Sequence, residues 1–393
     1  MIHLFINALA ASAGGGLTYI RNVVPLLNSR HDLRATVLID RNLSREFATA
    51  GNVTCIEADT AGGAARRIWW EQRNLPRLLR SSGADVLLSA GNFALLRSPV
   101  PQILLSRNSL YTCAAFRKDL LERGEIAMWL DNAAKSAAAK WSVRVADRTV
   151  APSVAFAHEL RGWTGRNVIA IQHGFDAMAF TRDPSPLPAG IQRQLDSRSG
   201  QVKLLFVSHY NYYRNFETLF HALPLIQQQI GPRRVCLFLT CSLAPGANPG
   251  SYNSGRAAAL VRELAMDEHV VQLGAVPYHL LHRLYRQANL YVTPAYTETF
   301  AHPLVEAMSS GLPIVASDLP VHREIVGDAG VYFSTFSPED LARRVLEVAS
   351  SPGQAARLGA AGSARVDQFS WQRHLDQVLA LAADLLHPAP PHP

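Results

Sequence analysis

Short runs of consecutive apolar residues recur along the chain, each followed by a stretch with helical periodicity. Ile2–Ile6, Ala35–Asp40, Ala84–Ser89, Pro101–Ser106, Arg148–Ala151 and Asn167–Gln172 read as buried strands. Leu17, Ile20, Val23, Val24 and Leu27 mark one face of a first helix, and further helical patterns span about 65–81 and 116–146. The pattern then restarts with the strand Val202–Ser208, the helix Glu217–Gln229 and the strands Val235–Thr240, Val270–Leu273, Leu290–Thr293 and Pro313–Ala316. Strands apolar on both faces and separated by helices imply parallel sheets with crossover connections. The expected fold class is α/β, with two Rossmann-like doubly wound domains facing a cleft and ligands at the carboxyl ends of the strands. Asp176–Gly200 is rich in Pro, Ser and Arg and marks the break between them. The reading is 1–180 for the first domain, 181–370 for the second, 371–386 as a helix returning to the first, and 387–393 as a flexible tail.

Composition narrows this picture. The 393 residues are 48% hydrophobic and 18% charged, enough to bury two cores. No apolar run approaches the length of a membrane-spanning helix. Met1–Ala13 has the apolar run and small-residue end of a secretory leader, but it lacks a basic start and Asn7 interrupts it, so a first strand is preferred. Cys55, Cys113, Cys236 and Cys241 are widely spread, which argues against a zinc ribbon or a disulfide scaffold and fits a reducing, cytoplasmic compartment.

The charge is uneven. Residues 1–180 hold 21 Lys and Arg against 14 Asp and Glu, whereas the remainder holds 17 of each, so the whole +7 excess lies in the first half. That half is expected to meet something anionic. Arg66–Arg80 carries five arginines around Trp69, Trp70, Leu75, Leu78 and Leu79. Such a helix can lie on an anionic membrane surface, giving peripheral attachment to the inner face of the plasma membrane. It can equally be an ordinary helix packed on the sheet, with Pro76 limiting its length. Basic residues are not interleaved with stacking aromatics over an extended run, so no nucleic-acid partner is expected.

The densest candidate chemistry lies in Tyr291–Gly330. A strand ends near Thr293, a loop carries Glu298, and a helix begins around Ala301–Pro303. The amides of Thr299, Phe300, Ala301 and His302 fall at or just before a helix N-terminus, where free N–H groups and the dipole favour a phosphate. Glu306 follows Glu298 by eight residues. Two such carboxylates can accept hydrogen bonds from sugar and ribose hydroxyls. The alternative is an acidic residue placed by the helix dipole and a second one merely solvated.

This Glu-x7-Glu block resembles the signature of retaining glycosyltransferases of the GT-B, GT4-like family (glycosyltransferase group 1), which use nucleotide-sugar donors. Leu273–Gly330, Lys203–Leu219, Ile171–Phe180 and Phe369–Leu379 are similar to that family as well. The resemblance implies a retaining, metal-independent hexosyltransferase that uses a donor such as a UDP- or GDP-hexose and needs no other cofactor. The acceptor would be a glycan or lipid-linked glycan of cell-surface polysaccharide or glycoconjugate synthesis. Glu298 would approach the donor sugar, Glu306 would hold the ribose, and the Thr299–His302 amides would grip the diphosphate. Arg214, with Glu298 the second catalytic candidate, would neutralise the leaving diphosphate. His209, Val276 and the glycines Gly15 and Gly16 complete the donor-binding set implied by the resemblance.

Several positions depart from the family. Its loop often reads Gly-Phe-Gly, where this chain has Thr299-Phe300-Ala301-His302. Many relatives carry a histidine after the strand matching Pro101–Ser106, but here the run is Ser106-Arg107-Asn108-Ser109, leaving Arg107 and Asn108 as acceptor-binding candidates. His173 stands where relatives often have Asn and reads as structural. Gly14-Gly15-Gly16 is not a G-x-G-x-x-G fingerprint, which argues against a nicotinamide oxidoreductase in spite of Asp40 at the end of the second strand. Lys203 is the only lysine after residue 140 and opens a strand, which disfavours a Schiff-base phosphorylase. No Asp-x-Asp metal signature occurs. A sugar-nucleotide epimerase and a non-catalytic nucleotide-sugar binder remain the rival functions.

Overall fold

The computed structural model describes residues 1–393 apart from 12–13, 44, 48–50, 60–62, 233, 249–251 and 388–393. The chain divides into two compact units, Met1–Gly174 with the segment from Phe369 onward, and Phe175–Gln368.

The first unit runs β1 (Ile2–Asn7), α1 (Gly14–Asn28), β2 (Leu33–Asp40), β3 (Val53–Ala58), α2 (Gly63–Ser82), β4 (Val86–Ser89), β5 (Gln102–Leu105), α3 (Ala114–Glu122), α4 (Ile126–Val145), β6 (Arg148–Ala151), α5 (Val154–Thr164) and β7 (Ile169–Ala170). Its seven strands are all parallel, in the order β3-β2-β1-β4-β5-β6-β7. Leu4 pairs with Ala35 on one side and Val86 on the other, so β1 lies between two neighbours and is buried almost throughout. One face of the sheet packs on Tyr19, Ile20, Val23 and Leu27 of α1, the other on Leu75 and Leu79 of α2.

Some expectations change. The helical stretch 116–146 is two helices, broken at Gly124, whose φ of +72° is costly for a residue with a side chain. Pro76 does not end α2, which continues to Ser82. The strand expected over 167–172 shrinks to Ile169–Ala170, and β3, of whose six residues only Val53 and Ala58 are buried at the sheet edge, adds a strand that the apolar pattern does not mark.

The second unit runs α6 (Ala177–Thr181), α7 (Ala189–Asp196), β8 (Val202–Phe206), α8 (Phe216–Gln229), β9 (Val235–Leu239), α9 (Gly255–Glu263), β10 (Val270–Gln272), α10 (Leu281–Tyr285), β11 (Leu290–Thr293), α11 (His302–Ser309), β12 (Ile314–Ser317), α12 (Pro320–Val326), β13 (Gly330–Phe333), α13 (Pro338–Ala349) and α14 (Pro352–Arg365). Its six parallel strands follow the order β10-β9-β8-β11-β12-β13. The division falls after Gly174, not after residue 180, because Phe175 and Phe180 stack on each other at 5.3 Å and Phe180 lies 5.6 Å from Tyr278 and 6.1 Å from Tyr285 of the second unit. The proline-rich stretch that suggested the boundary holds α6 and α7 and belongs wholly to this unit.

The last helix, α15 (Trp371–Leu386), has the expected bounds and starts at Ser370, whose hydroxyl accepts from the Arg373 amide at 3.2 Å. Trp371, Leu375, Val378 and Leu379 complete the core of the first unit beside β1 and α1. The expected flexible tail lies, from residue 388, outside the described residues.

Candidate active site

In each sheet the strand order reverses between two neighbours, β1 and β4 in the first unit and β8 and β11 in the second. Connections leaving such a pair in opposite directions open a crevice at the carboxyl ends of the strands. The polar side chains singled out from sequence emerge at or beside these ends.

In the second unit, the chain leaves β8 and makes a short turn at Tyr212–Arg214 before α8. Asn215, at φ +55°, donates from Nδ2 to the Pro294 carbonyl at 3.0 Å and accepts from the Thr218 hydroxyl at 2.9 Å. The Tyr296 amide donates to the Tyr213 carbonyl at 3.1 Å. The loops after β8 and β11 are thus laced together, and they bring Arg214 and Glu298 into a direct ion pair between side chains only 18% and 10% exposed. Burial works most strongly against the Arg214 charge, but the Glu298 carboxylate together with Tyr213 and Tyr291 outweighs it and raises its pKa. The guanidinium also stands 5.0 Å from the ring of Tyr213.

Helix α11 follows on the same loop. Ala301 caps it in the left-handed region, φ +63°, with Pro303 in the first turn. Pro303 brings no N–H to that turn, and the Leu304 amide donates to the Ala301 carbonyl at 3.0 Å. Phe300 is buried and its ring lies 4.8 Å from His302. One turn further on, Glu306 is 4% exposed. Burial pushes its carboxyl up to about 7, against a hydrogen bond from the Tyr285 hydroxyl to Oε2 at 2.9 Å.

Sequence reasoning missed two residues here. Tyr285, on α10, lay inside the family-like block but drew no notice as a common core aromatic. His322, on α12, is fully buried, and its Nδ1 bonds the Ser317 carbonyl at 2.8 Å at the end of β12. That carbonyl can only accept, so Nδ1 carries the proton and Nε2 is left as an acceptor. Burial lowers the His322 pKa, with Glu298 raising it and Arg214 lowering it, which places the ring in the field of that pair. Of the other donor-binding candidates, His209 is exposed in the loop that leaves β8, and Val276 is half-buried in the loop after β10.

In the first unit, Gly15 and Gly16 fall inside the first turn of α1, not in a loop before it. A Cβ on Gly16 would stand 3.0 Å from Ala11 Cα and 3.4 Å from Arg107 Nη2, a tight approach that glycine avoids. Arg107 secures the same turn. It donates from Nη1 to the Gly15 carbonyl at 3.0 Å and from Nη2 to the Ala90 carbonyl, and stands 5.2 Å from the Tyr19 ring. Burial pulls its pKa down to about 10, since only the Tyr19 phenol opposes the loss of solvent. Asn108 caps the next turn by accepting from the Leu110 amide at 3.0 Å. Both acceptor candidates therefore make internal hydrogen bonds. His173 is buried among Tyr19, Trp371 and His374, with ring centroids 5.2 to 5.6 Å away.

The outward stripe of α2 is Arg66, Trp69, Arg73, Arg77 and Arg80, all exposed, with Leu75 and Leu79 turned to the sheet. Ile126, Leu130 and Trp141 of α4 are each more than half exposed. No helix among the described residues is long and apolar enough to cross a membrane.

Two doubly wound parallel sheets, each with a switch point, define a GT-B fold. Sucrose-phosphate synthase from Thermosynechococcus elongatus superposes with a TM-score of 0.78 over 99% of this chain and 100% of its own, at 18% identity. Anabaena Alr3699/HepE, solved in complex with UDP-glucose, gives a TM-score of 0.70 over 98% of this chain and 100% of its own, at 16% identity. Residues 190–365 match the family model described as Glycosyl transferases group 1. Among curated relatives, D-inositol 3-phosphate glycosyltransferase of Corynebacterium aurimucosum is 26% identical over 225 residues, 56% of this chain and 52% of that protein. O-antigen chain mannosyltransferase B of Escherichia coli is 34% identical over 107 residues, 27% of this chain and 28% of its own. The chain thus spans about half, or less, of the length of these relatives.

Proposed function

We propose that this protein is a retaining hexosyltransferase that moves a sugar from a nucleoside diphosphate donor, such as a UDP- or GDP-hexose, to a glycan or lipid-linked acceptor. The observation that carries this reading is the half-buried Arg214–Glu298 pair between the loops of β8 and β11, with α11 and Glu306 following directly on the same chain. In this reading the Thr299–His302 amides and Arg214 take the diphosphate, Glu298 takes a hydroxyl of the sugar, and Glu306 takes the ribose. The match to the group 1 family model and the fold shared with a protein solved with UDP-glucose support it.

The chemistry follows from the charges. The bond from the anomeric carbon to the diphosphate oxygen breaks, and an acceptor oxygen bonds the same carbon on the same face. The acceptor proton passes to a departing phosphate oxygen. Arg214 and the same amides stabilise the charge that grows on the diphosphate, as preorganised donors do in a dry site. The protein supplies no metal and no other cofactor in this scheme. In this reading Arg107 and Asn108 of the first unit serve the acceptor, and the Arg66–Arg80 stripe with Trp69 suits an anionic membrane surface holding a lipid-linked acceptor.

The test is to incubate the protein with UDP- and GDP-hexoses and a panel of glycan and lipid-linked acceptors, and to read the product anomer by NMR. Retention of configuration, lost in Glu298→Gln and Arg214→Ala, supports the reading. An inverted product overturns the mechanism. Conversion of the donor without an acceptor identifies an epimerase instead, and nucleotide binding with no transfer identifies a binding protein.

A further inference from the structure

Glu306 presents an unusual arrangement. Its side chain is almost wholly enclosed, yet among the described residues only one of its oxygens receives a hydrogen bond, from Tyr285. A buried carboxylate normally collects several donors, because each lone pair left without one carries a desolvation cost. Tyr285 is itself fully buried, and burial together with the nearby Glu306 charge raises its pKa well above the ordinary value, so its hydroxyl keeps its proton. That single hydrogen has two acceptors in reach, Glu306 Oε2 at 2.9 Å and the Pro303 carbonyl at 3.3 Å. The charged and nearer oxygen wins while Glu306 is ionised. When Glu306 is protonated, the hydroxyl is able to turn to Pro303 and accept from the carboxyl.

We propose that Tyr285 is a positioning residue for the donor nucleotide, its hydroxyl occupying Oε2 of Glu306 and leaving Oε1 for the ribose hydroxyls. This rests on the donor-binding reading above and adds to it the residue that sets the orientation and ionisation of the ribose-binding carboxylate. Burial and Tyr285 are the two influences on the Glu306 carboxyl, the first raising its pKa and the second lowering it. Other titratable groups on the elements packed against α11 are His282 and Arg283 of α10, His322, Arg323 and Glu324 of α12, and Arg357 and Arg365 of α14. Asp176 at the start of α6 and Asp367 after α14 complete them, and Tyr278 and Tyr291 stand close enough for the Glu306 charge to raise their pKa values.

The experiment is calorimetric titration of the wild-type protein and Tyr285→Phe with UDP and GDP, and with their 2′,3′-dideoxy counterparts, between pH 6 and 9. Phe keeps the ring and its packing, and a thermal melt confirms that the variant folds. The expected result is affinity about tenfold weaker for the ribonucleotide in the variant, the scale of one hydrogen bond to a charged group, with dideoxynucleotide affinity unchanged. The ratio of ribo to dideoxy affinity in the wild type should fall as pH drops through about 7, where Glu306 takes up its proton. In Tyr285→Phe that fall should begin at higher pH. Equal losses for ribo- and dideoxynucleotides would reduce Tyr285 to a packing role, and no loss at all would overturn the assignment. Should the wild type bind neither ribonucleotide, the donor reading itself falls and takes this assignment with it.

Discussion

Replacing Glu306 by Gln is expected to make the nucleotide-free protein more stable at alkaline pH. The carboxyl is buried, and its pKa is about 7 in the folded chain against an ordinary 4.5. At about 1.4 kcal/mol per pH unit, holding this group ionised costs the folded state about 3 kcal/mol. Gln carries no charge and still accepts from Tyr285, but half of its amide lacks a partner, at a cost of about 1 kcal/mol. The net gain is therefore about 2 kcal/mol, which for a unit of this size is about 4 to 8 °C in melting temperature. The sign depends on pH in a definite way. Below pH 4.5 native and unfolded chains both keep the proton, so the substitution gains nothing from charge. Between 4.5 and about 7 the unfolded chain releases a proton that the native chain retains, so wild-type stability declines as pH rises. Above about 7 the full cost is present. Thermal melts of both proteins without nucleotide, at pH 5 and pH 8.5, measure this. A variant no more stable than wild type at pH 8.5, or equally stabilised at both pH values, would refute the reasoning.

Three further outcomes follow from local geometry. Ala301→Gly should stabilise the second unit by about 1 kcal/mol, since the left-handed cap at φ +63° is costly for alanine, and urea denaturation would show the gain. Arg214→Ala and Glu298→Ala should each cost about 3 kcal/mol by stranding a mostly buried charge. The double variant should cost less than the two together, which a denaturation cycle measures. Gly174→Ala should lower stability sharply, because the added methyl carbon would stand 2.0 Å from the Trp371 backbone nitrogen, with no flexible side chain able to give way. A melting temperature equal to the wild type's would refute that clash.

The strand framework was legible because a parallel sheet covered on both faces demands nearly unbroken apolar strands, as in Leu4–Ile6 and Val235–Leu239. β3 escaped the same rule because it lies at the edge, where Thr54 and Glu57 face solvent. The spacing of Glu298 and Glu306 correctly located the loop and helix, since α11 begins within the anticipated residues. What sequence could not show was the use of the other polar groups. Arg107 was singled out for a ligand, and the fold shows in addition that its Nη1 and Nη2 donate to the carbonyls of Gly15 and Ala90. Tyr285 and His322 looked like core residues, and only their bond partners reveal their links to Glu306 and to the field of Arg214 and Glu298. Ala301 holds, as an alanine, the left-handed backbone geometry that glycine would take without strain.

The first unit is discontinuous in sequence, and this sets an order for assembly during synthesis. Residues 175–368 form one unbroken stretch and can reach their final packing once they have left the ribosome. The sheet of the first unit, although translated earlier, lacks Trp371, Leu375 and Val378 from its core until α15 emerges. The earlier-made half is therefore the later one to mature, and it holds an apolar face open while the second half folds. Chaperone contacts during synthesis should concentrate on α1 and β1, the surfaces that α15 finally covers.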